Sequence, residues 1–137
     1  MKYKIVLDTN VLITALLSKN GASFKLLRMI DDERLDVVLS TPLLKEYEDV
    51  LLREKFALDA QDIEAILDYI CLIGSHHKIY YLWRPMLKDY KDDMVLELGV
   101  KANAMIITHN KKDFDKAGQF NLPVLSASEL LHLLGEL

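Results

Sequence analysis

The stretch YKIVLDTNVLITALL, residues 3–17, decides the fold. Tyr3 to Leu7 is short, apolar and β-branched, the pattern of a buried strand. From Val11 onward the spacing changes. Val11, Leu12, Ala15 and Leu16 repeat at helical intervals on the way to Ser18, and Asn10 is placed to cap that helix. A strand that passes directly into a helix is the first half of a βαβ unit, and such units build parallel sheets. Between the two apolar runs stands Asp8. A carboxylate held between two segments that both read as buried needs a chemical reason.

The rest of the chain repeats the alternation. Ser23–Ile30 reads as a helix with Phe24, Leu27 and Ile30 on one face, and Gly21 separates it from the first. Asp36–Ser40 reads as a second strand. Thr41-Pro42 then gives an N-cap with proline at the first helical position, and Leu43, Leu44, Tyr47, Val50 and Leu51 keep the helical spacing. Asp59 opens a helix through Ile63, Ile66, Leu67, Ile70 and Cys71, which Gly74 ends. Lys78–Trp83 is strand-like, and Pro85 closes it. After the acidic segment Asp89–Asp93, a helix is expected from Met94 to about Lys101. Ala104–Thr108 is a buried strand, Leu122–Leu125 a short one, and Ser126-x-x-Glu129 a capping box before the last helix. Strands alternating with helices predict a three-layer α/β/α domain around a mostly parallel sheet.

Length and composition agree with one domain spanning residues 1–137, large enough to bury a core without metal or disulfide staples. Hydrophobic residues make up 51% and charged residues 28%, an ordinary globular balance. No apolar run approaches the ~18 residues of a membrane span, so no membrane is expected. Asp8 interrupts any leader-like apolar region, and the single cysteine, Cys71, has no internal partner; a cytoplasmic protein is expected. The net charge of -4 argues against coating by nucleic acid through bulk charge. It leaves room for a nucleic-acid enzyme whose local basic groups or bound cation outweigh it.

In open α/β sheets the binding crevice lies outside the carboxyl ends of the strands. Asp8 ends the first strand. Ser40 ends the second, and Glu46 follows within the next helix. Asp92 and Asp93 begin a helix, and Thr108 ends a strand ahead of His109, Asn110 and Asp113. Taken singly, each acid reads as a turn, cap or solvated helix residue. Together, carboxylates sharing a cleft repel one another unless a cation compensates, and a hard divalent ion with oxygen ligands, Mg²⁺ or Mn²⁺, is the natural one. Such an ion activates water at a phosphodiester. Other features carry less. His76-His77 are adjacent and cannot face one ligand. Tyr80, Tyr81 and Trp83 read as packing residues before base-stacking ones. Lys111 and Lys112 read either as phosphate contacts or as a solvated pair. There is no phosphate-binding glycine loop and no nucleophile elbow.

Three stretches carry a resemblance. IVLDTNVLITALLS (5–18) resembles the opening motif of PIN-domain nucleases, LSTPLLKEYEDVL (39–51) their second, and KDDMVLELGVKANAMIITHNKKDF (91–114) their third. They fall in the family's order and span nearly the whole chain, and the nearest group is the VapC-like toxin components. The resemblance implies a metal-dependent endoribonuclease acting on RNA, with Mg²⁺ or Mn²⁺, a cognate antitoxin protein and a homodimer. Asp8 matches the family's first acid, Glu46 its second and Asp92 its third, with Asp93 open as the alternative. Where many members have a fourth acid, this chain has Asn110. Either Asp113 supplies that carboxylate or the site holds one ion. Thr9, Asn10, Ser40 and Thr108 match positions that orient the ligands, and Lys111 and Lys112 stand where substrate would pass. Water would attack in line to leave a 5′-phosphate and a 3′-hydroxyl. The competing reading is a PIN-like module that has lost its chemistry and binds RNA or protein, for which Asn110 is the best support. Two other phosphoryl-transfer folds fit poorly. A haloacid-dehalogenase phosphatase needs an acid where Asn10 stands, and a response-regulator receiver needs an acidic pair beside the first strand's end.

Overall fold

Strand β1 (Tyr3–Leu7) forms the middle of the sheet, and its sequence explains why. Ile5, Val6 and Leu7 are all buried, so both faces of the strand are covered. A run of apolar residues, rather than an alternation, suits that position. The computed structural model describes residues 2–18, 20–53, 59–78 and 90–137. In chain order, α1 (Thr9–Leu17) and α2 (Ala22–Arg28) follow β1; then come β2 (Leu35–Leu39), α3 (Thr41–Arg53), α4 (Ala60–Ile73), β3 (Ser75–His76) and α5 (Tyr90–Ala102). The chain ends with β4 (Met105–Ile107), a 3₁₀ segment Lys111–Phe120, β5 (Val124–Leu125) and α6 (Ala127–Leu133).

The described strands form a five-stranded sheet in the order β3-β2-β1-β4-β5, and every pairing is parallel. Helices cover the sheet, as a parallel sheet buried on both faces requires. The chain first builds outward from β1 to β2 and β3, then returns to the other side of β1 with β4. The reversal places a switch point between β1 and β4, where Leu7 lies opposite Ile107. In such sheets the crevice opens just beyond this pair.

One buried cluster unites Ile5, Val6 and Leu7 with Val37–Leu39, Ile106 and Ile107, Leu43, Tyr47 and Leu51 of α3, and Leu130 and Leu131 of α6. Each fully buried Leu or Ile contributes about 1.5–3 kcal/mol. Two glycines set helix heights. A Cβ on Gly74 would sit 2.3 Å from Leu39 Cδ1, so the chain after α4 can lie against β2 only without a side chain there. A Cβ on Gly99 would meet Leu122 Cδ1 at 3.2 Å, and this small residue brings α5 close to β4 and β5.

Several boundaries differ from the sequence expectation. Asp8, not Asn10, caps α1, its Oδ1 accepting from the Thr9 N–H at 2.8 Å. Ser40 caps α3 through the Leu43 N–H at 3.2 Å, so Thr41 and Pro42 already lie inside the helix. Helix α5 starts at Tyr90, before Met94, because Asp92 and Asp93 fall in its first turn, where the helix dipole favours negative charge. Ser75–His76, between the helix ended by Gly74 and the strand expected at Lys78–Trp83, forms an edge strand on β2 that the sequence pattern did not mark. The strand expected at Lys78–Trp83 lies almost wholly outside the described residues. The Asp59 cap and the Ser126–Glu129 capping box are present as expected.

Candidate functional site

Asp8 is the last residue before the chain turns from β1 into α1. Its backbone N–H extends the β1–β4 ladder by donating to Ile107 O at 2.9 Å, and its carbonyl accepts from Val11 at 3.0 Å. The carboxylate is therefore fixed at the switch point, 9% exposed. Thr108 ends β4 beside it and donates its hydroxyl to Asp8 Oδ2 at 2.7 Å. The Thr108 Oγ1 in turn accepts from the Asn110 backbone N–H at 3.0 Å and from Asn10 Nδ2 at 3.5 Å. Asn10 Oδ1 accepts from the His109 N–H at 3.3 Å. The loop after β4 is thus laced to the start of α1.

The charge on Asp8 is held by neutral donors. Its pKa is raised, first by burial and also by the nearby Asp113 carboxylate, against the lowering effect of the Thr108 hydroxyl, the Thr9 N–H and the charge of His109. Beneath it, the buried Tyr47 hydroxyl donates to Leu7 O at 2.5 Å and ties α3 to the end of β1. Burial raises that phenol well above its ordinary value, and the charge on Asp8 adds to the effect.

The remaining acids reach this edge along helices. Helix α5 enters β4 through a turn in which Asn103 takes a left-handed conformation (φ 54) and the Ala104 N–H donates to Gly99 O at 2.8 Å. Its C-terminus therefore lies at the start of β4. Its N-terminus, about 20 Å away at 1.5 Å per residue, lies toward the carboxyl edge. There Asp93 is buried, 1% exposed, and Asp92 is half-buried. Helix α3 starts at the same edge from Ser40, and Glu46 on it is half-buried. Asp113 is exposed on the 3₁₀ segment, its N–H donating to Asn110 O at 3.0 Å. Among the described residues, no three His, Cys, Asp or Glu side chains already form a metal-binding group. The donor set is nevertheless hard oxygen throughout. A buried carboxylate whose hydrogen bonds, among the described residues, come from neutral donors, with a second carboxylate close enough to act on it, fits a divalent ion.

The structure brings together Asp8, Thr9, Asn10, Thr108 and Asn110 directly, with Asp113 in electrostatic reach. Lys111 lines the cleft beside them, and its ammonium lies 2.5 Å from Glu129 Oε1, which also completes the cap of α6. Lys112 is exposed on the rim. An open cleft of about 610 Å³ is lined by His109, Asn110, Lys111, Lys112 and Asp113. Sequence reasoning missed two features. Glu97, 4% exposed, lies four residues after Asp93 on the same face of α5. Its signal was available, since it interrupts the apolar run MVLELGV (94–100) as Asp8 interrupts the first. The second is a hydrogen bond between Ser23 Oγ and His109 Nε2, 2.8 Å, which no local pattern announces.

A family model for the PIN domain matches residues 4–112. The chain belongs to the PIN domain family. An uncharacterized protein of Methanocaldococcus jannaschii is 28% identical over 116 residues, covering 81% of this chain and 73% of that protein. Among solved structures, VapBC-1 from nontypeable Haemophilus influenzae superposes with a TM-score of 0.65 at 16% identity, covering 91% of this chain and 98% of the other. VapBC2 from Rickettsia felis, bound to a DNA fragment from their promoter, gives 0.60 at 13% identity, covering 90% and 97%. At these identities the likeness is one of fold: a parallel sheet flanked by helices, as observed here. None of the helices among the described residues is long and apolar enough to cross a membrane.

Proposed function

We propose that this PIN domain protein is a Mg²⁺- or Mn²⁺-dependent endoribonuclease, the toxin of a toxin–antitoxin pair. The observation that carries the reading is Asp8: a buried carboxylate at the sheet's switch point, hydrogen-bonded by neutral donors, its pKa raised first by burial and also by Asp113. Asp8 would hold the ion with Glu46, Asp92 or Asp93, and Asp113. When bound, the ion supplies an activated water and offsets charge at the phosphodiester. The chain's own residues do the rest. Thr9 and Thr108 fix both oxygens of Asp8, and Asn10 and the Asn110 N–H fix Thr108. Ser40 anchors the start of α3 and so the placement of Glu46. Lys111, which also pairs with Glu129, and Lys112 line the cleft and would meet an RNA phosphate. In-line hydrolysis leaves a 5′-phosphate and a 3′-hydroxyl.

The solved relatives are VapBC complexes, which supports a cognate protein partner, and a homodimer is part of the same reading. The test is a Mn²⁺ titration by calorimetry of EDTA-treated wild type and Asp8→Asn, with cleavage of a mixed RNA pool followed in parallel. Saturable binding and cleavage, both lost in the variant, are expected. Absence of binding in the wild type would instead favour an inactive PIN-like binding module, in keeping with Asn110.

A further inference from the structure

His109 leaves β4 directly after Thr108 and lines the cleft of about 610 Å³ beside the carboxylates. Its side chain is exposed, yet its ring is anchored. Nε2 lies 2.8 Å from the Oγ of Ser23, the second residue of α2, which is 2% exposed. A buried hydroxyl must place its proton on an acceptor. Among the described residues the structure gives the Ser23 Oγ one hydrogen-bond partner, His109 Nε2. Donation into Nε2 leaves the proton of the neutral imidazole on Nδ1. The backbone is tied as well, the His109 N–H donating to Asn10 Oδ1. Holding an exposed ring in one pose costs side-chain entropy. The pose presents an N–H donor on the rim, in the cleft that Asn110 and Asp113 also line. The neighbouring Lys111 lines the same cleft and pairs with Glu129.

We propose that His109 is a substrate-contact residue. Through Nδ1–H it donates to a non-bridging oxygen of a phosphodiester adjacent to the one at Asp8, and Ser23 sets the tautomer that makes this possible. The inference rests on the ribonuclease reading and names a contact that reading lacks.

The experiment measures binding of a fluorescein-labelled random-sequence 20-mer RNA by anisotropy. It uses full-length Asp8→Asn protein in EDTA, so that neither cleavage nor a cation contributes. Into that parent are placed His109→Ala, His109→Gln, His109→Asn and Ser23→Ala. A hydrogen bond to a charged phosphate predicts a rise in Kd of about tenfold or more for His109→Ala. His109→Gln should bind as weakly, because its amide reaches the Nε2 position and leaves Nδ1 unreplaced. His109→Asn should restore most of the affinity, since its amide nitrogen stands where Nδ1 did. Ser23→Ala should fall between, with an unchanged melting temperature. Equal binding by His109→Ala and its parent overturns the proposal, as does an Asn variant as weak as Ala. A parent that binds no RNA at all overturns the ribonuclease reading, and this inference with it.

Discussion

Two aspartates in this chain sit in polar networks of similar reach and opposite character. Asp8 is joined to Thr108 across 100 residues of sequence, and Asp32 is part of a cluster in which Arg34 reaches Glu136 across 102. At the C-terminal cluster, Arg34 donates to both oxygens of Asp32, to Leu134 O and to Glu136 Oε1, and the pairs are partly exposed. Hydrogen bonds from the guanidinium lower the Asp32 pKa to about 2 and raise that of Arg34. At the crevice, burial moves Asp8 the other way. In that cluster one guanidinium bridges two carboxylates and fastens residues 134–136 to the turn before β2. At the crevice the hydrogen bonds to the Asp8 carboxylate come from the Thr9 N–H and the Thr108 hydroxyl, both neutral, so the two aspartates are held by different chemistry.

The sharpest way to break this contrast is Asp8→Asn. It removes a buried charge while keeping the shape, so cleavage should vanish and the melting temperature should change little. Normal cleavage by that variant would overturn the site. Thr108→Val comes next. It strips one donor from a buried carboxylate, and support of this kind is worth about 10–100-fold in metal affinity. Calorimetry with Mn²⁺ would register the loss, and an unchanged affinity would separate Thr108 from the site. Tyr47→Phe leaves the crevice's charge alone and removes only the hydroxyl that holds Leu7 O. About 1 kcal/mol of stability should be lost in urea unfolding, with Mn²⁺ affinity nearly intact. The smallest effect belongs to Asp32→Asn. A depressed pKa contributes stability above the ordinary aspartate value of 3.8 that fades as pH falls toward about 2. Wild type and variant should therefore differ slightly at neutral pH and converge in acid. A gap that persisted below pH 2 would show that charge is not what Asp32 contributes.

The parts of this molecule that the sequence made legible are those whose cause is local. Ile5–Leu7 and Ile106–Ile107 are apolar on both faces and read as buried parallel strands from composition alone. Ser126 and Glu129 cap each other over three residues, and that motif was visible in the chain. Where the cause is distant, the reading failed. Ser75–His76 has no strand character of its own; it is extended because β2 offers a free edge and Gly74 lets the chain approach Leu39. The 3₁₀ segment Lys111–Phe120 is polar and bends at Phe114, whose ring is buried, so no helical period runs through it. At the site, Asp8 stood out because it interrupts an apolar run. Its cap role, the pairing of Lys111 with Glu129 and the Ser23–His109 contact depend on partners far along the chain.

The distance between Asp8 and Thr108 also governs when the crevice can exist. Asp8 is synthesised 100 residues before Thr108, yet the strand that completes its surroundings is β4, and the Thr108 N–H is itself held by Leu125 O at 2.9 Å. Pairings so remote in sequence form late, after local helices and the neighbouring β1–β2 contact. A partly synthesised chain can carry every residue of the opening motif and still have no crevice. Formation of the crevice thus waits for β4 and β5, and a chain cut before Thr108 lacks it.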